Sequence, residues 1–124
     1  MMTDAALKWI NDALTAAGIN YEFGQWSSDV IPDPYFVGEY IESPEENEDG
    51  MQMTSFILTG TTKTSWLTLE QAKKTIKDLF KQTVILSNGN GIAIFYSDSL
   101  IVPVDDMAIK RIQINIDVKE WSVT

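Results

Sequence analysis

Residues 35–60, YFVGEYIESPEENEDGMQMTSFILTG, decide how the rest of the chain is read. Two runs rich in aromatic and β-branched residues, 35–42 and 51–59, flank a short acidic stretch that Pro44 and Gly50 bracket. Side chains of this kind suit a pleated, half-buried surface, and proline and glycine punctuate turns, so the spacing predicts a long antiparallel hairpin with the charges EENED at its tip. Like charges crowded at a tip are tolerated in water, which makes a solvated loop the simplest account of the acids.

Upstream, Thr3 is placed to cap a helix that Asp4 favours at its N-terminus, and Ala6, Leu7, Ile10, Ala13, Leu14 and Ala17 recur at helical spacing. Gly18 is the expected stop. A short aromatic run, YEFGQW at 21–26, leads into SSDVIPDP at 27–34, where two prolines exclude a regular ladder. Downstream of the hairpin, Thr68 and Gln71 have the spacing of a capping box, and Leu69, Ala72, Ile76, Leu79 and Phe80 form a narrow apolar stripe. Lys73, Lys74, Lys77 and Lys81 fall beside that stripe on the same predicted helix. TVILS and IAIFY then flank NGNG at 88–91, a strong hairpin signal because Asn and Gly tolerate positive φ. LIVPV at 100–104 and Asp105–Asp106 precede MAIKRIQINIDVKEW, in which Ile112, Ile114, Ile116 and Val118 alternate with Arg111, Gln113, Asn115, Asp117 and Lys119. A period of two describes a strand with one face in the core and the other facing water or a neighbour.

The element order is therefore α-β-β-β-α-β-β-β, with three or four strands in the last group. The predicted fold class is α+β, a curved antiparallel or mixed sheet with two helices packed on one face. A chain of 124 residues that is 44% hydrophobic holds one core, so a single domain, 1–124, is expected. No run of about 18 apolar residues is present, and MMTDAALKW lacks the blocks of a secretory signal, which together predict a protein that stays in the cytosol.

Cysteine and histidine are both absent. Disulfides, thiol nucleophiles, thiolate or imidazole metal sites and a Ser-His-Asp arrangement are excluded with them. Charge is unevenly divided: residues 1–50 carry eleven acids against Lys8, and residues 51–124 carry seven acids against eight bases, which together give −9. That balance repels phosphate backbones, so specific nucleic-acid binding is not expected.

The acids at 45–50 offer oxygen ligands and a glycine at calcium-loop spacing, but Phe56 stands at the twelfth position where a bidentate glutamate is needed. GNGIAI has Ile94 in place of a third glycine and enters a strand, so it lacks the helix N-terminal amides that hold phosphate. Adjacent Asp105 and Asp106 read as turn residues. A hydrolase would need two acids about 5 to 10 Å apart in a pocket, and no such pair stands out. No catalytic residue, no cofactor and no metal ligand is expected. What remains are interface candidates: Lys73, Lys74, Lys77 and Lys81 for one surface, and Glu45, Glu46, Glu48 and Asp49 for another. Trp9, Trp26, Trp66 and Trp121 are expected in the core or at its edge.

The stretch PYFVGEYIESPEENEDGMQMTSFILTG, followed by LEQAKKTIKDLF, resembles the small tail-completion proteins of long-tailed phages and prophages of Gram-positive bacteria, also called tail terminators, head-tail joining or minor capsid proteins. The likeness runs over roughly residues 4–120 in the order and spacing of elements. It implies a non-enzymatic structural protein of the virion, made in the host cytoplasm. It further implies a homo-oligomeric ring, often a hexamer, that joins the tail tube to head-connector proteins, with no membrane partner. A second class fits the same composition: a monomeric acidic module, of the inhibitor or immunity kind, covering a basic partner. Self-association separates the two.

Overall fold

The computed structural model describes residues 2–42 and 52–122. Its elements are α1 (Asp4–Ala16), β1 (Tyr21–Phe23), β2 (Tyr35–Glu42), β3 (Gln52–Thr62), α2 (Trp66–Leu79), β4 (Lys81–Ile85), β5 (Gly91–Ile101) and β6 (Lys110–Trp121). The predicted α+β order holds, and all six strands join one curled sheet in the order β1-β2-β3-β6-β5-β4. β6, the last strand in sequence, sits at the centre because its unbroken alternation gives it a full core face. β1 alone pairs in parallel, Tyr21 opposite Phe36, because the proline-containing loop returns the chain to the same end of the sheet before β2 starts.

Register places the core on one face. Phe56 lies opposite Tyr40 and Ile116, Leu58 opposite Gly38 and Ile114, and Ile94 opposite Val118. Over this face pack Ala6, Ile10 and Leu14 of α1 and Leu69 and Ile76 of α2, followed by Phe80, all fully buried. Both helices therefore cover the same side. Leu7 and Ala13 flank the cluster as expected, whereas Ala17 is exposed: Gly18 takes φ +82° and turns the chain away there. Gly60 and Gly38 lie where aromatic rings need room; a Cβ at Gly60 would collide with the Phe36 ring, and one at Gly38 with Tyr21 and Phe56.

Several boundaries differ from the sequence reading. Ser65, not Thr68, caps α2, its hydroxyl accepting from the Thr68 N–H at 3.3 Å. The helix gains a turn through Trp66 and Leu67, which are 40% and 64% exposed and so add nothing to the apolar stripe that revealed the rest. Lys81 is not a helix residue: α2 ends at Leu79, and Lys81 opens β4. Leu100 and Ile101 belong to β5, leaving three strands after α2, and β3 runs on to Thr62. The Asn-Gly turn forms as expected, with Gly89 at φ +88° and Leu86 donating to the Asn90 carbonyl at 2.7 Å.

Candidate functional site

The two expected charge surfaces fare differently. Glu45, Glu46, Glu48 and Asp49 lie outside the described residues. The lysines are described, and they do not make four equivalent free cations. Lys73 is bound to Glu70 at 2.7 Å, Lys81 approaches Asp78 at 3.8 Å, and the Lys77 ammonium stands 5.1 Å from the centre of the Tyr96 ring. Each spends part of its charge within the chain. Lys74 is exposed and has no ion pair among the described residues.

Asp105 and Asp106 lie in a turn, where Asp106 accepts the Ala108 N–H on its carboxylate at 2.9 Å and the Ile109 N–H on its carbonyl at 3.0 Å. Among the described residues no three carboxylates gather as metal ligands would. No helix among them is long and apolar enough to cross a membrane.

Two carboxylates hold the fold in ways that sequence reasoning did not assign. Glu120 continues the core-facing parity of Ile112 to Val118 and is buried. Its oxygens accept from the Thr3 hydroxyl at 2.7 Å, the Thr3 N–H at 3.2 Å and the Asn90 amide at 2.9 Å, tying α1, β6 and the β4–β5 turn together. Thr3 meanwhile accepts from the Ala6 N–H, as a cap should. Asp33 accepts from the Thr62 hydroxyl and the Lys63 N–H, which hold its carboxyl below the ordinary aspartate range and fasten the loop before β2 to the end of β3. Burial pushes the Tyr21 phenol up, so it serves as a neutral core group.

The sheet face away from the two helices is covered by no other helix among the described residues. Its cross-strand rows read Tyr35–Thr61–Arg111, then Val37–Thr59–Gln113, then Glu39–Ile57–Asn115. Polar groups here pair with one another: across strands Arg111 donates to Thr61 at 3.0 Å and Asn115 to Asp98 at 2.6 Å, and along β6 Gln113 donates to Asn115 at 3.0 Å. Above the first row a cleft of about 270 Å³ opens between Ile31, Tyr35, Ile109 and Arg111. Asp33 and Lys63 line it as well, so its apolar walls sit beside charges of both signs.

The borders of the sheet are uneven. β1 reaches only Phe36 to Gly38 of β2, and β4 reaches only Gly91 to Phe95 of β5. Ile41, Leu100 and Ile101, at or beside the uncovered stretches, are 63%, 48% and 62% exposed. The sequence reading missed them; an exposed apolar residue in a strand looks like any core residue until pairing is known. Trp9 and Trp26 are half-buried against Phe80 and Tyr35, Trp121 lies over Gly91, and Trp66 is the most exposed of the four at 40%.

No protein-family model and no curated protein matches the sequence. Among solved structures, the chain is similar to one from "Virion of native gene transfer agent (GTA) particle", with a TM-score of 0.67 and 10% identity over 89% of this chain and 84% of that one. The likeness is one of fold.

Proposed function

We propose that the chain is a non-enzymatic subunit of a phage or prophage particle, a tail-completion or head-tail joining protein of a long-tailed phage of a Gram-positive host. It acts by forming a ring, six-membered in the form its resemblance implies, between the tail tube and the head-connector proteins. The observation that carries this reading is the fold shared over nearly the whole length with a chain of a virion particle. A sheet face that no helix among the described residues covers, and exposed apolar residues at the sheet borders, are in keeping with a protein that works through contacts. A ring requires heterologous contacts, in which one patch meets a different patch on the next copy. On this reading Lys74, with Lys73, Lys77 and Lys81 around it, faces Glu45, Glu46, Glu48 and Asp49 of a neighbour.

Light scattering and negative-stain microscopy on concentrated protein, alone and with a tail-tube preparation, test the proposal. Rings or caps on tube ends are expected, because contacts too weak to join free subunits become strong on a template that presents many at once. A chain that stays monomeric, ignores tubes and instead captures a basic partner is the acidic inhibitor-type module. Assembly that survives the double change Lys73→Glu and Lys77→Glu removes the charge pairing but leaves the ring.

A further inference from the structure

The two uncovered stretches at the sheet borders lie at opposite corners, and their backbone groups match. On β2, Gly24 donates to the Gly38 carbonyl and Phe36 donates to the Asn20 carbonyl, so the main-chain groups of 36 and 38 point out of the sheet. Alternation along the strand sends those of Tyr40 and Glu42 the same way. No strand among the described residues receives them. On β5, Tyr96 donates outward to the Phe80 carbonyl, after which a bulge between Tyr96 and Asp98 lies just beyond Lys81, the first residue of β4. Val102 then donates inward to Arg111, which leaves Ser99 and Ile101 as the outward-pointing residues. Natural edges are commonly guarded by lysine, proline or inward-turned charge. Here β5 presents Leu100 and Ile101, and its one acid, Asp98, is engaged by Asn115.

We propose that copies of this chain join edge to edge, residues 39–42 of one β2 adding as an antiparallel strand to residues 98–102 of the next copy's β5. The inference rests on the reading that copies associate head to tail. β2 is antiparallel to β3, β3 to β6 and β6 to β5, so a neighbour in the same orientation offers β2 antiparallel to β5 and continues one sheet. With outward groups meeting, Tyr40 opposes Ile101 and Glu42 opposes Ser99 across the contact, and each pair exchanges two hydrogen bonds. Ile41 then lies directly opposite Leu100, both on the face away from the helices. Apolar side chains that are 63% and 48% exposed in the single chain cover each other, and no two charges are set opposite.

The stagger is compatible with closure. Tyr40 is level with Ile116 of β6 and Ile101 with Ile112, so each contact steps the neighbour four residues along the strands over the four strands from β2 to β5. One residue per strand is the stagger of eight-stranded barrels of shear eight, whose strands tilt by about 36°. A translation without tilt would give an open filament instead.

The chain has no cysteine, which allows a direct test with introduced ones. Two samples, Ile41→Cys and Leu100→Cys, are mixed at concentration, with and without tail tubes, and oxidised. Directly opposed, non-hydrogen-bonded pairs have Cα atoms about 4.5 Å apart, within disulfide reach. Within one copy the two positions are three strand spacings apart, at least about 14 Å, so an internal bridge cannot form. The mixture is expected to give at least about ten times more covalent dimer than either variant alone, and a chain carrying both changes a ladder ending in a closed species. Absence of cross-links in both conditions overturns the proposal, as does equal cross-linking by one variant alone, which marks a symmetric contact. Caps on tubes without a disulfide between positions 41 and 100 would leave the joining role standing and remove this edge. The disulfide without any effect on tubes would do the reverse.

Discussion

Glu120 shows how one residue can follow a pattern and still break its chemistry. It sits in the parity of the buried isoleucines of β6, and burial of a carboxylate is tolerated where its hydrogen-bond partners are complete. Replacing Glu120 with Ala leaves the Thr3 and Asn90 donors without their acceptor, and a loss of about 2 kcal/mol in urea unfolding is expected, with Glu120→Gln less severe. Asp33 makes a different prediction. Its carboxyl is lowered in the folded chain, first by the Thr62 hydroxyl and next by the Lys63 N–H, from a usual value of 3.8. The folded state therefore binds that proton less readily than the unfolded one. Its contribution is fully present above about pH 4 and is lost as the pH falls through the lowered value. Asp33→Asn should reduce stability at pH 7 slightly, since the group is exposed, and should flatten the acid limb of thermal melts below pH 4. Melts of equal steepness for the two chains would count against that role.

At the scale of the element, the start of α2 separates what spacing can reveal from what it cannot. Thr68 and Gln71 have the spacing of a capping box, but the hydroxyl that caps the helix is that of Ser65. Ser65→Ala is expected to cost about 1 kcal/mol by chemical denaturation, whereas Gln71→Ala, at an exposed helical position, should be close to neutral. The reverse order would restore the capping box. The pairing of β2 with β3 rests on close packing as well as hydrogen bonds, because Phe36 lies over Gly60 in the facing strand. Gly60→Ala forces that ring aside, and a loss of about 1–3 kcal/mol is expected with no change in the concentration dependence of assembly. These details were not legible in the sequence: glycine opposite phenylalanine is a cross-strand fact, invisible until register is known. The helix and strand identities were legible, because periods of 3.6 and two are written along single segments.

For the whole molecule, charge is the property that the sequence states directly and the fold distributes. Neutralising Glu45, Glu46, Glu48 and Asp49 together tests whether the acidic segment lines a passage through which DNA moves, where carboxylates would keep phosphates from adhering. Impaired genome passage in an infection assay is the expected result, together with weaker assembly where the same acids pair with a neighbour's lysines; unchanged passage and assembly remove the idea. Of the interface candidates, the lysines were legible as a helical stripe only in part, since Lys81 is in a strand and Lys73 and Lys77 already have partners within the chain. The border residues Ile41, Leu100 and Ile101 were hidden, because exposure in a strand depends on which neighbours fail to reach it. Composition and periodicity by themselves determined the α+β class, the element order and the lack of histidine and cysteine chemistry, since each is a property of residue type or of local spacing. Only the tertiary structure decided that β6 is central, that β1 pairs in parallel and that two offset edges are left open among the described residues, because strand order and register come from contacts between segments distant in the chain.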